Sequence, residues 1–471
     1  MLFRSILEKS GELAIAERLC RDGLALTPDA HELRCTLGNI LNAEGRVNEA
    51  IDEYGKVVAS CDGKTVALSN ALLSSLYLDD IPEEELFSRY RRWADIVERP
   101  LLSPASPKTP SAGRRLRIGY LSPDFKRHSV AFFIEPVLAL HDKSRFEVFC
   151  YSDVASPDSI TVRIKGLPEH WREINGMGDD ALFDMLRADR LDILFDLAGH
   201  TGRRLRVFAR RPAPVQATWI GYAATTGMSS MDFRLTDELA DPQGTDRFHS
   251  ERLVRLPGQF LVFSPPDDAP TLREAPCLKN GYVTFGSFNA LPKISPSCLR
   301  LWASVLKAVP GSRMVIKGKP LVDASVRKRL LDAFAVEGIG QERLDLLKFE
   351  GSFASHLDTY SQVDIALDSY PYNGTTTTCE AFWMGVPTIS LAGQAHRARV
   401  GLSLLNALGL PSLAVGSPGD FVGVAKALSS DLRQLAAFKA SLRGAMASSP
   451  LCDAQGFVAK FEAALPLMFG A

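Results

Sequence analysis

Residues 364–387 read DIALDSYPYNGTTTTCEAFWMGVP and carry the clearest indication of the fold. A short apolar run ends at Leu367, a turn containing Pro and Gly follows, and four threonines lead into a helical segment that stops near Gly385 and Pro387. A strand, a turn and a helix in this order are typical of a parallel α/β sheet. In such sheets ligands bind beyond the carboxyl ends of the strands.

The threonine cluster, residues 375–378, is suited to binding a diphosphate. A helix N-terminus offers unpaired N–H groups and the positive end of a dipole, and the hydroxyls add donors. The alternative is a capping box in which Thr377 and Glu380 close an ordinary helix. A cap explains those two residues but not four hydroxyls after a glycine turn, so the pattern favours phosphate binding. Glu380 either caps the helix or accepts hydrogen bonds from a ribose.

Short apolar runs separated by helical segments extend from this stretch and predict two consecutive α/β units. The predicted strands of the first unit are residues 116–121, 146–151, 193–197 and 217–222, and those of the second are residues 282–288, 314–317, 365–367 and 388–391. Two units of this size predict two Rossmann-like halves that face a cleft.

Polar residues follow the first predicted strand of the second half. Asn289 and Lys293 lie in the stretch FGSFNALPK. A lysine at that point would balance the charge of a departing diphosphate, and the alternative is a solvated loop lysine. Lys317 and Lys319, at the end of another strand, carry the same ambiguity.

The first half and the later chain contain histidines at comparable points. Asp124 and His128 follow the opening strand, where a histidine either orients an acceptor hydroxyl and takes up its proton or has no chemical role. His200 and Thr201 follow the strand at 193–197 and are expected to point towards the same crevice. His356 falls within the predicted helix before the strand at 365–367, where a surface histidine is the alternative.

The first sixty residues repeat at a period of 34, the length of a tetratricopeptide unit. The matching positions are Phe3, Ile6, Leu7, Gly11, Leu13 and Ala16, which recur as Leu37, Ile40, Leu41, Gly45, Val47 and Ala50. Since two such repeats cannot bury a continuous core, we expect them to lean on the helical stretch 66–98 and on the next domain. The expected domains are helical repeats at 1–98, a Pro-rich linker at 99–113, and catalytic halves at 114–270 and 271–471.

Composition excludes several partners. A net charge of -1, with no acidic or basic tail, argues against nucleic acid and anionic membranes. The eight scattered cysteines form no Cys-x-x-Cys pair, and with no Asp-x-Asp tripeptide a metal site is not expected. No run approaches ~20 apolar residues. We therefore expect a cytoplasmic protein that does not span a membrane.

Five stretches resemble protein O-GlcNAc transferases and the plant SPINDLY proteins. They are RIGYLSPDFKRHSVAFFIEP, DILFDLAGHT, RRPAPVQATWIGYAATTG, VTFGSFNALPKISP and PYNGTTTTCEAFWMGVPTISLAG. The resemblance runs from about Leu116 onwards, and the repeats ahead of it match the family's layout. It implies a GT-B fold and an inverting, metal-independent transfer of a sugar from a nucleotide donor to Ser or Thr of proteins recruited by the repeats.

The resemblance also implies roles for individual residues. Lys293 would contact the donor diphosphate, and His128 would lie beside the reacting centre. Together with the sequence pattern, it gives an expected donor site of Asn289, Lys293, His356, Thr375, Thr376, Thr377 and Glu380. The expected catalytic residues are His128 and Lys293, with Asp124, His200 and Thr201 on the acceptor side. The nucleotide sugar is a co-substrate, and no further cofactor is expected.

The donor sugar has two candidates. Animal O-GlcNAc transferases look to have His in place of Thr375 and Gln in place of Ala290, whereas the TTTTCE and IKGKP stretches are more similar to SPINDLY, whose members use GDP-fucose. Short bacterial-style relatives are usually assigned UDP-GlcNAc, which we expect first. A nucleotide-sugar epimerase and a non-catalytic adaptor are the other function classes. The repeats argue against the former, and the retained donor residues argue against the latter.

Overall fold

The computed structural model describes residues 13–60, 65–104, 113–349 and 351–469. They form two compact units. The first α/β unit is Pro82–Ser264 with Ser448–Ala471, and the second α/β unit is Pro265–Ala447 with the described residues up to Ile81.

Four helices form an array at the start of the described chain. They are α1 (Leu13–Leu26), α2 (His31–Ala43), α3 (Val47–Ser60) and α4 (Thr65–Ser75). Ala16 and Ala50, which are 34 residues apart, are both completely buried, as the period predicts. Gly38 lets α2 approach the ring of Tyr54, since a Cβ there would lie 2.5 Å from a ring carbon. The repeat positions Phe3, Ile6, Leu7 and Gly11 lie outside the described residues.

The first α/β unit is built on a parallel sheet, seven-stranded among the described residues, in the order β3-β2-β1-β4-β5-β6-β7. Its strands are β1 (Leu116–Ser122), β2 (Phe146–Ser152), β3 (His170–Glu173), β4 (Ile193–Asp196), β5 (Val215–Thr218), β6 (Phe233–Thr236) and β7 (Arg252–Arg255). Its helices are α5 (Glu83–Val97), α6 (Ser129–Leu140), α7 (Ser159–Lys165), α8 (Asp179–Asp189) and α9 (Leu205–Ala209). The central strands are buried on both faces, as parallel sheets require.

The second α/β unit repeats this construction, with a parallel sheet in the order β10-β9-β8-β11-β12-β13. Its strands are β8 (Thr284–Ser287), β9 (Arg313–Lys317), β10 (Leu344–Leu347), β11 (Ile365–Leu367), β12 (Thr388–Leu391) and β13 (Ala414–Val415). Its helices are α10 (Pro276–Asn280), α11 (Pro296–Ala308), α12 (Ala324–Val336), α13 (Phe353–Asp358), α14 (Thr376–Trp383), α15 (Val400–Ala407), α16 (Pro418–Leu428) and α17 (Leu432–Ala447). Both sheets therefore have the strand order of a Rossmann fold, as the sequence predicts.

One predicted strand is displaced. The sequence predicts a strand at 217–222, but β5 occupies Val215–Thr218 and ends before Ile220, which has a φ of +52°. The next residue, Gly221, lies so close to the backbone of Leu197 that a Cβ would come within 1.7 Å of its carbonyl oxygen. The apolar residues at 219–222 therefore form a tight turn.

The last helix, α18 (Ala454–Ala464), belongs to the first α/β unit although it follows the second in sequence. Phe461 is fully buried, and its ring centre lies 5.0 Å from that of Trp219 and 5.6 Å from that of Phe195. Glu462 accepts a hydrogen bond from His141 Nδ1 at 2.9 Å. Contacts between residues so far apart in sequence leave no local signal. The expected domain boundaries at 98 and 271 therefore differ from the division into compact units in the structure.

The helix α5 also differs from its expected place. It lies within the first α/β unit, where Glu98, the residue after α5, accepts hydrogen bonds from the backbone N–H groups of Ser229 and Ser230. The expected linker at 99–113 begins with one helical turn at Arg99–Leu101, and residues 105–112 lie outside the described part of the chain.

Candidate active site

The second α/β unit has a switch point between β8 and β11. These strands are neighbours, with Phe285 opposite Ile365, but from β8 the chain continues towards β9 on one side and from β11 towards β12 on the other. Where the connections diverge, a crevice opens at the carboxyl ends of the strands. The small cavity here is lined by Gly286, Ser287, Phe288, Asn289, Tyr360, Val363, Ala366, Leu367, Asp368, Thr377, Thr378, Ala381 and Thr388.

The threonine cluster begins α14 at this switch point. Thr375 precedes the helix, and its side chain makes no capping hydrogen bond. Thr377 Oγ1 donates to Asn289 Oδ1 at 2.8 Å, which joins the helix start to the loop after β8. Thr376 Oγ1 is buried and has no hydrogen-bond partner within the protein. A buried hydroxyl in that condition is costly unless a ligand supplies the partner.

The capping-box alternative is wrong. Glu380 does not reach back to the start of α14. Its Oε2 lies 3.2 Å from His356 Nε2 and accepts from the Tyr360 hydroxyl at 3.3 Å. The same hydroxyl is 3.0 Å from the Thr377 carbonyl oxygen. Tyr360 therefore contacts both Thr377 and Glu380, the residue expected to bind the ribose. His356 is buried on α13, and its Nδ1 has no partner within the protein.

Lys293 lies in the turn after β8 and is half-buried. Its Nζ donates to the Asn373 carbonyl oxygen at 2.8 Å and lies 4.1 Å from the centre of the Tyr372 ring. Burial lowers the pKa of Lys293 from its usual range, and the nearby Asp368 opposes that shift. The alternative of a solvated loop lysine is therefore wrong.

Asp368, which sequence reasoning missed, is almost completely buried directly after β11. Its carboxylate accepts hydrogen bonds from Gly374 N at 2.7 Å, Ser390 Oγ at 2.7 Å and Ser369 N at 2.8 Å. Burial raises the pKa of Asp368, and these hydrogen bonds and Lys293 oppose the shift. An acidic residue directly after a buried strand was the available signal.

Gly374 is required for the close approach of these groups. A Cβ at this position would lie 2.5 Å from Thr377 Oγ1, 2.7 Å from Thr378 Oγ1 and 2.9 Å from Asn289 Oδ1. We name the group of Asn289, Lys293 and residues 375–378 the diphosphate cradle, after the ligand that the sequence predicts for it. Asn289 and Lys293 follow β8, and the threonines follow β11 at the start of α14, so the adjacent strands β8 and β11 bring the two groups together.

In the first α/β unit, Asp124 and His128 lie together after β1. His128 caps α6, since its Nδ1 accepts from Val130 N at 3.3 Å, and the same nitrogen lies 3.6 Å from Asp124 Oδ2. The His128 side chain is 44% exposed. Burial raises the pKa of Asp124, and His128 opposes the shift. An accessible imidazole beside a carboxylate can bind and release a proton.

The expectation that His200 points towards the crevice is wrong. The side chain is buried, and its Nε2–H donates to the Thr226 carbonyl oxygen at 2.9 Å. The rings of Trp93, Tyr90 and Tyr222 surround it at centre distances of 4.7 to 5.3 Å. Burial lowers the pKa of His200 to about 4, so it is neutral at pH 7.

Thr201, the other expected acceptor residue near β4, is exposed. Its hydroxyl donates to the Ala198 carbonyl oxygen at 2.7 Å, which stabilises the turn after the strand. Its expected contact with an acceptor stays a prediction.

Two negative findings apply to the described parts of the chain. Across residues 13–60, 65–104, 113–349 and 351–469, no group of three or more His, Cys, Asp and Glu side chains is placed to hold a metal ion. Over the same ranges, no helix combines the length and the apolar character needed to cross a bilayer.

Two consecutive Rossmann-like units, with a basic and hydroxyl-rich switch point in the second, define a protein of the GT-B class. Residues 95–267 and 265–461 match the model of Glycosyl transferase family 41. The chain belongs to that family, and the resemblance found in the sequence is confirmed.

Three relatives illustrate the match. The chain is 42% identical to a probable UDP-N-acetylglucosamine–peptide N-acetylglucosaminyltransferase SPINDLY of Oryza sativa, over 88% of this chain and 45% of the relative. It is also 42% identical to the SPINDLY of Arabidopsis thaliana, over 84% of this chain and 44% of that relative. The solved structure of a point mutant of Thermobaculum terrenum O-GlcNAc transferase is 36% identical and matches with a TM-score of 0.94 over 99% of this chain and 89% of that one. The chain spans less than half the length of these SPINDLY relatives.

Proposed function

We propose that the protein is a protein O-glycosyltransferase that moves N-acetylglucosamine from UDP-GlcNAc to Ser or Thr, with inversion and without a metal ion. The observation that carries this proposal is the diphosphate cradle at the switch point of the second α/β unit. It combines a lysine, a helix N-terminus and a buried threonine hydroxyl that has no partner within the protein.

The cradle suits a leaving group that gains negative charge. When the bond between the sugar and the diphosphate breaks, charge develops on the phosphate oxygen. Lys293 and the first N–H groups of α14 are fixed donors that can stabilise this charge without a metal ion. Glu380, with His356 and Tyr360 beside it, supports the proposal that the nucleoside binds at the adjoining end of α14.

The acceptor residues belong to the first α/β unit in this proposal. His128 is accessible and lies beside Asp124, and the resemblance implies a histidine beside the reacting centre at this position. We assign His128 to the acceptor side with Asp124 as its partner. The helical array, α1 to α4, would recruit the protein substrate.

The second candidate donor is GDP-fucose. The chain is 42% identical to the Arabidopsis thaliana SPINDLY but 29% identical to the SEC protein of the same plant, and its TTTTCE and IKGKP stretches resemble SPINDLY. The names of both relatives, which include UDP-N-acetylglucosamine, support the first candidate.

A direct assay separates these activities. The protein is incubated with UDP-GlcNAc or with GDP-fucose and a cell lysate, and acceptor peptides are examined by mass spectrometry. Added N-acetylhexosamine supports the first donor, and added deoxyhexose supports the second. Binding of both nucleotides without any labelled protein would refute the transferase, and release of an epimerised sugar without an acceptor would instead identify an epimerase.

A further inference from the structure

The helical array and the diphosphate cradle belong to the same compact unit. The array reaches both loops beside the cradle: the turn after α4 contacts residues 368–375 after β11, and the turn between α2 and α3 contacts residues 288–295 after β8. The array therefore contacts the donor site directly.

An aromatic contact leads from the array to Lys293. Tyr77 lies in the turn after α4, and its ring centre is 5.3 Å from that of Tyr372. Tyr372 in turn lies 4.1 Å from Lys293 Nζ and precedes Asn373, whose carbonyl oxygen accepts from the same ammonium. One side of the Lys293 site is thus a tyrosine ring that rests on the array.

A polar contact supports the same region from the array. Asp79 accepts hydrogen bonds from the backbone N–H and the hydroxyl of Ser297, in the first turn of α11. Ser295, which caps that helix, donates to the Tyr370 carbonyl oxygen at 2.7 Å. Ser295 Oγ lies 3.2 Å from Ser297 Oγ, so these polar contacts adjoin one another between the array and the loop after β11.

A third contact comes from the turn between α2 and α3. Gly45 has a φ of +81°, and a Cβ there would lie 3.4 Å from the carbonyl oxygen of Leu291, two residues before Lys293. The array thus reaches the loop after β8 as well as the loop after β11.

We propose that Tyr77 is a positioning residue for the donor site, which holds Tyr372 and through it Lys293 in the conformation that receives the diphosphate. The inference rests on the proposed function, because it assigns the diphosphate to the cradle. It gives the array a task beyond recruiting protein substrates, since donor binding would depend on a side chain of the array.

The alternative is that the array only adds stability to the second α/β unit. The chain offers a matched control for this, because the array also docks through Arg329 on α12, whose Nη2 donates to Glu44 Oε2 at 2.8 Å. Glu44 keeps Arg46 as a second partner when Arg329 is removed. Arg329→Ala thus weakens the docking of the array without touching Tyr372 or Lys293.

The test measures UDP and GDP binding by calorimetry, and the melting temperature, for wild type, Tyr77→Ala, Tyr77→Leu, Tyr77→Phe, Arg329→Ala and Lys293→Ala. Tyr77 is only half-buried, so its variants are expected to fold. For the nucleotide that wild type binds more tightly, Tyr77→Ala and Tyr77→Leu should weaken affinity by roughly tenfold, since the Tyr372 ring that lies against Lys293 loses its support. Tyr77→Phe, which retains the ring, should bind like wild type, and so should Arg329→Ala.

Three results would overturn the positioning role of Tyr77. They are wild-type affinity in Tyr77→Ala, a loss of affinity in Arg329→Ala equal to that in Tyr77→Ala, and affinity in Tyr77→Phe as low as in Tyr77→Ala. If one of these results is found while Lys293→Ala still loses affinity, the donor site stands and only the positioning role of Tyr77 is refuted. If wild type binds neither UDP nor GDP, the proposed function fails, and this inference fails with it.

Discussion

Lys293 is the residue on which the proposed chemistry depends most. The Asn373 carbonyl oxygen and the Tyr372 ring hold its ammonium near the start of α14. A group fixed in this way needs little reorganisation as charge develops on a leaving diphosphate, and this is the condition under which electrostatic stabilisation is largest.

The first prediction concerns removal of this charge. Lys293→Ala should lower kcat/KM by about 100- to 1,000-fold, because roughly 3–4 kcal/mol of transition-state stabilisation is lost. Lys279→Ala, at an exposed position on α10, is the control and should leave the rate unchanged. Steady-state kinetics with the melting temperature of each variant make the comparison, and an unaltered rate in Lys293→Ala would remove this residue from the mechanism.

The second prediction concerns pH. Burial lowers the pKa of Lys293, with Asp368 as the acidic group that faces it, so the ammonium loses its proton at a lower pH than an ordinary lysine does. Below that pKa the site carries its charge, and as the pH rises through it the affinity for UDP or GDP should fall. Lys293→Arg, which stays charged, should bind without this alkaline loss. Calorimetric titrations across the alkaline range test this, and parallel profiles for the two proteins would contradict it.

The third prediction concerns Gly374. Gly374→Ala would place a methyl group against Thr377 Oγ1 and Asn289 Oδ1, and the cradle would have to open. We expect nucleotide affinity to fall by roughly tenfold or more, since at least one charge-assisted contact is displaced. Gly416→Ala is the control, because no atom lies within 4 Å of its added Cβ. Equal affinities in the two variants, measured by calorimetry, would argue against the cradle.

Among single residues, the sequence predicts those whose position directly after a strand marks them as candidates. Lys293 and the threonine cluster each follow a predicted strand, so local pattern was enough to select them. Asp368 has the same signal and was overlooked, whereas Tyr360 and Tyr77 reach the site only through packing. His200 shows the opposite failure, because its position after β4 is right but an aromatic cage formed by distant residues buries it.

At the scale of elements, most interior strands were predictable, whereas the edge strands and β6 were not, and β5 was predicted out of place. Continuous apolar runs give β1, β2, β4, β8, β9, β11 and β12. The strands β3, β7, β10 and β13 are only partly buried, so their sequences lack such runs, and β6 contains Arg234, whose guanidinium is buried against carbonyl oxygens of the preceding loop. Position in the sheet, which local pattern does not contain, decides which strands are recognisable.

The fourth prediction tests the helix α18. Phe461→Ala should lower the free energy of unfolding of the first α/β unit by about 3–5 kcal/mol, because a buried aromatic side chain leaves a cavity against Trp219 and Phe195. Leu467→Ala, at a 73% exposed position shortly after the helix, should change it little. Urea unfolding followed by tryptophan fluorescence provides the measurement, and similar midpoints for both variants would mean that α18 does not contribute to that core.

At the scale of the whole molecule, the chain order and the spatial order differ. The helical array precedes the first α/β unit but lies in the compact unit that contains the second sheet, and α18 returns from the end of the second sheet to the core of the first. The sequence predicts the two halves and the repeats from local periodicity. It could not predict that the array belongs with the second sheet and α18 with the first, because both placements depend on contacts between residues hundreds of positions apart.

A crystal structure of the protein with UDP or GDP bound would show directly whether the cradle receives the diphosphate. We expect phosphate oxygens within hydrogen-bond distance of Lys293 Nζ and of the Thr376 hydroxyl, which then gains the partner that it lacks. A nucleotide that binds away from the carboxyl ends of β8 and β11, with Thr376 still unpaired, would contradict the account.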